Sequence, residues 1–252
     1  QYGKAKKEVY LDDPVFVKAF GEFIKAFGKK YNAEENNVAF IDGMGTGSWG
    51  ETQSNMKAIG DIKAATLEII KMYKEAFPDV LLGAQYTGDD RSGGLTAMND
   101  YDYVLRRDNY GVSAWLNQST LNTIRSMNND GLAVFAENAL HHFDSREGSW
   151  VSGDAGTIAL AQNRNTMLTK VVNDALYTGA NTLDARVLED CKLWIKNDKD
   201  NKSHLLEKFA LNCGYRLSLN NIIIPKVITS SQMNITHSWK NNGVGILPNH
   251  NS

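Results

Sequence analysis

The sequence is poor in cysteine, in net charge and in long apolar runs, and each shortage excludes something. The 252 residues hold two cysteines, Cys191 and Cys213. No CxxC spacing joins them, which argues against a structural zinc site or a dithiol redox pair; one disulfide and two separate thiols both remain open. The formal net charge is −2. Such a balance gives no broad field to attract nucleic acid or an anionic membrane surface. An uncharged partner needs no such field. No stretch approaches the ~20 consecutive apolar residues of a spanning helix, so no membrane span is expected. Low-complexity tracts and solenoid-period repeats are lacking too. The chain opens at Gln1 with no initiator Met, which reads as a cut or processing boundary, so the N-terminus does not report a compartment.

What is present is an alternation. Asp13 and Pro14 make a helix start, and Phe16, Phe20, Phe23, Phe27 and Tyr31 follow at helical spacing. The run 37–41 is short, apolar and bounded by turn formers, as a buried parallel strand is. A glycine-rich loop, 43–50, comes next. A second helix is expected from about Ser54 to Phe77, with Ile59, Ile62, Thr66, Ile69, Ile70, Tyr73 and Phe77 as its buried stripe and Pro78 as its stop. Further strands are expected at 80–86, 111–116, 132–137 and 180–184. Helices are expected near 97–107, 120–127 and 156–177.

Strands alternating with helices indicate an α/β fold with a parallel sheet. About five strands can be counted, whereas a (β/α)8 TIM barrel has eight. The expectation is an incomplete barrel over 1–210, with the missing strands supplied by sequence outside this chain. Lys196–His204 reads as a polar surface loop. Short alternating runs in 214–247 read as the start of an antiparallel β-sandwich over 211–252.

Barrel enzymes carry their chemistry at the carboxyl ends of strands. Two glutamates fall there: Glu51, in Gly47-Ser48-Trp49-Gly50-Glu51, and Glu137, which ends its strand. Two carboxyl groups flanking one bond are what glycoside hydrolysis needs. Glutamates at strand ends also cap helices or pair with arginine. Trp49, Tyr86, Trp115 and Trp150 lie near the same ends; they are candidates for stacking on sugar rings, or ordinary core residues. His141 and His142 follow Glu137, and His141 is a candidate sugar contact. A metal role is set aside, because adjacent histidines diverge and no HxxxH partner exists. Asp184 and Arg186 close the last strand and are candidates to line the pocket. Arg106, Arg107 and Asp108 are expected before the strand at 111, at the end away from the site.

The segment Gly45-Thr46-Gly47-Ser48-Trp49-Gly50 also matches GxGxxG after a strand. The turn from Ile41 is too long, Trp49 is too bulky for close helix packing, and no acidic strand end follows about 20 residues on. A dinucleotide site is therefore not expected, and no cofactor is implied.

The stretch from Tyr31-Asn32 through Asn37-Val38-Ala39-Phe40-Ile41-Asp42-Gly43 to Gly47-Ser48-Trp49-Gly50-Glu51 resembles a family of bacterial glycoside hydrolases related to the β-galactosidase-like barrels of clan A. Arg106-Arg107-Asp108-Asn109-Tyr110-Gly111, Val134-Phe135-Ala136-Glu137, Gly214-Tyr215-Arg216-Leu217 and Trp239-Lys240-Asn241-Asn242-Gly243 extend the resemblance over roughly 12–245. It implies that the strands seen are the fourth to the eighth, followed by a β-sandwich. It further implies Glu51 as acid/base, Glu137 as nucleophile, and Asp42 among the substrate contacts. Clan A enzymes usually place Asn before the acid/base glutamate; Gly50 stands there in this chain. The expected activity is retaining hydrolysis of a polysaccharide or oligosaccharide, in a secreted, periplasmic or cell-surface protein. The alternative is a glycan-binding or scaffold module without catalysis.

Overall fold

The computed structural model describes residues 9–32, 37–42, 45–47, 50–52, 56–112, 115–138, 143–144, 149–150, 164–184, 188–227 and 231–248. Five strands form one sheet: β1 (Phe40–Asp42), β2 (Leu81–Gln85), β3 (Val104–Tyr110), β4 (Val134–Asn138) and β7 (Ala180–Leu183), in the order β1-β2-β3-β4-β7. The pairings β1–β2, β2–β3 and β4–β7 are parallel. Helices separate the strands along the chain, as parallel pairing requires. This is the expected α/β fold, consistent with part of a barrel. The chain divides into two compact units, 1–108 with 248–252, and 109–247. No helix among the described residues is long and apolar enough to cross a membrane.

In the first unit, α1 (Pro14–Tyr31) starts where Asp13 Oδ1 accepts from the amides of Val15 and Phe16, at 2.9 and 3.2 Å. Its aromatic residues form a ladder. Phe27 meets Phe77 edge-on at 5.1 Å, and Phe20 meets Tyr73. Both partners belong to the second helical segment, α2 (Ile62–Ala76), and its C-cap. The two helices touch at Gly28, where a Cβ would lie 2.3 Å from the Ala76 carbonyl oxygen. Ile69, Ile70, Tyr73 and Phe77 are buried there; each such side chain contributes about 1.5–3 kcal/mol by leaving water.

The second helix begins later than its apolar spacing suggests. The Asp12 carboxylate accepts from the amides of Ile59 and Gly60, at 2.6 and 2.7 Å, and holds them out of helical geometry. Asp61 then caps the helix through the Ala64 amide. Ile59, expected in the buried stripe, is 70% exposed, and Ile62 is 36% exposed. The third strand is also displaced. After α3 (Gly94–Asp100), β3 occupies 104–110 rather than 111–116. Arg106, Arg107 and Asp108 are therefore strand residues and do not precede a strand. The expected helix across 97–107 stops at Asp100.

The second unit contains α4 (Gln118–Asn129), capped by Asn117 through the Thr120 amide at 3.0 Å. Strand β4 is buried along its whole length. The short strands β5 (Phe143–Asp144) and β6 (Ser149–Trp150) pair antiparallel, and α5 (Arg164–Tyr177) follows. Tyr110 Oη and Thr178 Oγ1 lie 3.0 Å apart in the interior. After β7 come α6 (Leu188–Asn201) and α7 (Leu205–Asn212). Lys196–His204, expected as a loop, is thus largely helical. Asp198 explains the turn between the helices: its carboxylate accepts from the amides of Leu205 and Leu206 and from Ser203 Oγ. Cys213 carries a free thiol; the Cys191 side chain lies outside the described residues.

The final pair, β8 (Leu217–Ile223) and β9 (Thr236–Asn241), is an antiparallel hairpin. Leu219 stands opposite Trp239, and Ile222 opposite His237. Leu217, Leu219, Ile222 and Trp239 share a face and stay about half exposed, at 47–57%. The alternating pattern produced strands as expected. Among the described residues, however, no second sheet covers that face, and a sandwich consists of two packed sheets.

Candidate active site

The site in the first unit is built by a loop, the end of β2 and the interior of β3. Gly45, Gly47 and Gly50 all have positive φ, at 69, 72 and 76°. They let the loop fold back so that Thr46 and Glu51 form a parallel bridge and the Thr52 amide donates to the Thr46 carbonyl at 2.8 Å. Thr52 is fully buried and sits at φ 53°, a strained conformation for a β-branched residue. Such strain persists only where the surroundings enforce it, and it tends to gather at functional sites. Glu51 is thereby fixed on the segment that follows β1.

Its carboxylate meets β3. Arg106 Nη2 donates to Glu51 Oε1 at 2.9 Å; the two side chains are 5% and 15% exposed. Register explains why Arg106 reaches this level. It pairs with Gln85, the last residue of β2. Arg106 Nη1 donates to Gln85 Oε1 at 2.6 Å, and Gln85 Nε2 donates to Asp108 Oδ1 at 2.7 Å. Arg106 and Asp108 are two apart on β3 and so share a face. Arg107, between them in sequence, also reaches the cluster; its Nη1 donates to the Tyr86 carbonyl at 2.8 Å and lies 3.3 Å from Asp108 Oδ1. The cluster thus sets two guanidinium groups against two carboxylates. The pairing matters because an uncompensated charge at this depth is costly. Low polarity around the pair strengthens its attraction, and a nearby guanidinium favours the charged form of a carboxyl.

Other candidates fall in different places. Asp42 is the last residue of β1, opposite Gly83. Tyr86 is buried just past β2, its amide bonded to the Arg106 carbonyl at 2.8 Å. Trp49, His141, His142 and Arg186 lie outside the described residues, as does the side chain of Trp150. In the second unit, Trp115 is partly buried in a turn after β3. Glu137 is 5% exposed in β4. Beside it, Asn138 is clamped by Asp184. The Asn138 amide and Nδ2 donate to Asp184 Oδ1 at 2.7 and 2.9 Å, and Nδ2 also donates to the Asp184 carbonyl at 2.6 Å. Asp184 therefore ties the ends of β4 and β7 together.

Arg106, Gln85 and Asp108 were not among the residues the sequence marked for the site. A weak signal existed: Arg106 and Asp108 lie two apart, as residues on one face of a strand do, in a run that opens with Val104 and Leu105 and closes with Tyr110. The charged triplet hid it by resembling a helix end. Among the described residues, the α-helix that follows the 45–50 glycines, α2, begins at Ile62. Among the described residues no group of three His, Cys, Asp or Glu is placed to hold a metal ion.

Fold and site together define an α/β protein with a buried arginine–carboxylate cluster beside the carboxyl end of β2, built from the end of β2, the interior of β3 and the segment after β1. No protein-family model matches the chain, and no curated protein or solved structure is significantly similar to it.

Proposed function

We propose that the protein hydrolyses a glycosidic bond in a polysaccharide or oligosaccharide by a retaining, two-carboxylate route. The carrying observation is the buried pair between Glu51, on the segment after β1, and Arg106 of β3. Carboxyl-end placement is where α/β enzymes hold their reactive groups. A guanidinium beside Glu51 favours its charged form, which suits attack on the anomeric carbon. Glu137, in the second unit, then supplies the proton to the leaving oxygen and takes one from the water that hydrolyses the intermediate. The family resemblance by itself implies the reverse order of roles. In this reading the five strands are the fourth to eighth of a (β/α)8 barrel, the hairpin β8–β9 opens a β-sandwich, and the protein acts outside the cytoplasm.

The test is release of reducing sugar from a panel of neutral polysaccharides, with Glu51→Ala and Glu137→Ala beside the wild type. Azide rescue on an activated glycoside assigns the roles. A nucleophile variant yields the glycosyl azide of inverted configuration, and an acid/base variant yields the retained one. Inverted product from Glu51→Ala is expected. Binding to immobilised glycan with no sugar released would replace the hydrolase reading by that of a glycan-binding module.

A further inference from the structure

A carboxylate that reacts must be held in one orientation, and the structure holds Glu51 through three hydrogen bonds in series. Asp108 Oδ1 accepts from Gln85 Nε2 at 2.7 Å. Gln85 Oε1 accepts from Arg106 Nη1 at 2.6 Å. Arg106 Nη2 donates to Glu51 Oε1 at 2.9 Å.

The middle member gives the series its direction. A primary amide donates at one end and accepts at the other, whereas an ionised carboxylate only accepts and a guanidinium only donates. Asp108 therefore compels Gln85 to turn its NH2 inward, which leaves the amide oxygen facing Arg106. The flipped amide would set donor against donor at Arg106 and acceptor against acceptor at Asp108. Gln85 is 1% exposed, so water cannot readily take over either bond. Arg107, 3.3 Å from Asp108 Oδ1, balances the charge at the far end.

We infer that Asp108 and Gln85 are positioning residues for Glu51, acting through the Arg106 guanidinium to fix the direction of its carboxylate and to keep it charged. The inference deepens the proposed function, since it concerns the same carboxylate. Neither residue needs to touch a sugar. Their spacing follows from the fold: Gln85 and Arg106 are register partners on β2 and β3, and Asp108 is two residues further along β3.

The experiment is titration of the Glu51 carboxyl by carbon NMR of the whole chain without substrate, its signal assigned by loss in Glu51→Gln. Gln85→Leu should move the Glu51 midpoint upward by about 1 pH unit or more, because the guanidinium is no longer held. Gln85→Glu should perturb it as well, by setting a second carboxylate against Asp108. The double variant Gln85→Glu with Asp108→Asn restores complementarity: the new carboxylate accepts from Arg106, the new amide donates to it, and the charge of the cluster is again that of the wild type. Its midpoint should return toward the wild-type value. A folded Gln85→Leu with an unchanged midpoint would overturn the inference. So would a double variant no nearer wild type than Gln85→Glu alone, and that comparison decides the matter if Gln85→Leu does not fold. Because no substrate is present, the result is separable from the hydrolase reading. Wild type that releases no sugar but shows the shifts would sink the activity and keep the positioning. Unchanged midpoints alongside intact hydrolysis would do the opposite.

Discussion

Arg106 stands opposite Gln85 across β2 and β3, and a 2.6 Å hydrogen bond joins Nη1 of one to Oε1 of the other inside the protein. From that pairing a strand otherwise made for burial carries a positive charge to Glu51. The cost of burying the arginine is offset only while its acceptors stay in place.

Replacing Arg106 should therefore be severe. Arg106→Met removes one partner of a buried ion pair, and a loss of about 3–5 kcal/mol is expected. Urea denaturation at neutral pH measures it. Arg106→Lys should recover part of the stability, because charge is restored. It should not recover hydrolysis, because an ammonium lacks the planar fork that reaches Gln85 and Glu51 together. Equal activity in wild type and Arg106→Lys would separate the fork from function.

The clamp between Asn138 and Asp184 makes a second prediction. Asp184→Ala removes the acceptor for the Asn138 amide and Nδ2, at about 1–3 kcal/mol. Asp184→Asn keeps an acceptor oxygen and should lose less. Thermal unfolding of both variants gives the comparison. Since Glu137 precedes Asn138, kcat should fall more than KM rises in Asp184→Ala.

Two glycines of α1 should respond in opposite senses. At Gly28 an added Cβ meets the Ala76 carbonyl oxygen at 2.3 Å, so Gly28→Ala must separate α1 from α2, at about 1–3 kcal/mol. At Gly21 the nearest atom is Met72 Sδ at 3.4 Å, which can move. Gly21→Ala should be neutral, or stabilising by up to about 1 kcal/mol through helix propensity. Calorimetry of the pair checks the close approach directly.

Asp198 supplies a pH dependence. Burial works to raise its pKa, but the amides of Leu206 and Leu205, the Ser203 hydroxyl and the nearby His204 outweigh this and hold the carboxyl below its ordinary range. A carboxyl depressed in the folded state contributes stability above its unfolded pKa of about 3.9. That contribution is lost as pH falls through the folded value. Asp198→Asn should cost about 0.5–2 kcal/mol at pH 7, in the range of lost helix caps. The gap between variant and wild type should close in acid. Urea midpoints measured from pH 7 downward would show it, and a gap constant with pH would assign the effect to packing instead.

Much of the fold was legible because it rests on local pattern. The phenylalanine spacing gave α1, Asp13 and Pro14 gave its start, and the apolar runs gave β1, β2, β4 and β7. Glu51 and Glu137 were legible as glutamates beyond or at the ends of such runs. The start of α2 was not. Its apolar spacing continues back to Ile59, and contacts from about 47 residues earlier, with Asp12 on the Ile59 and Gly60 amides and Leu11 on the Lys57 carbonyl, hold that stretch out of the helix. The run 196–204 looked like a loop because it is polar, yet a helix with a solvated face is polar too.

The sequence by itself determined which segments alternate between strand and helix, and put Glu51 in the segment after β1 and Glu137 in the run that forms β4. Those features depend on neighbours within one or two turns. The tertiary structure decided that Arg106, Gln85 and Asp108 belong to the site. A charged residue enters a buried strand only if opposite charges and hydrogen-bond partners are waiting. For Arg106 these lie 21 and 55 residues away, at Gln85 and Glu51. Local propensity carries no information about partners at that distance; the register of β2 against β3 and the fold-back of the glycine loop supply it.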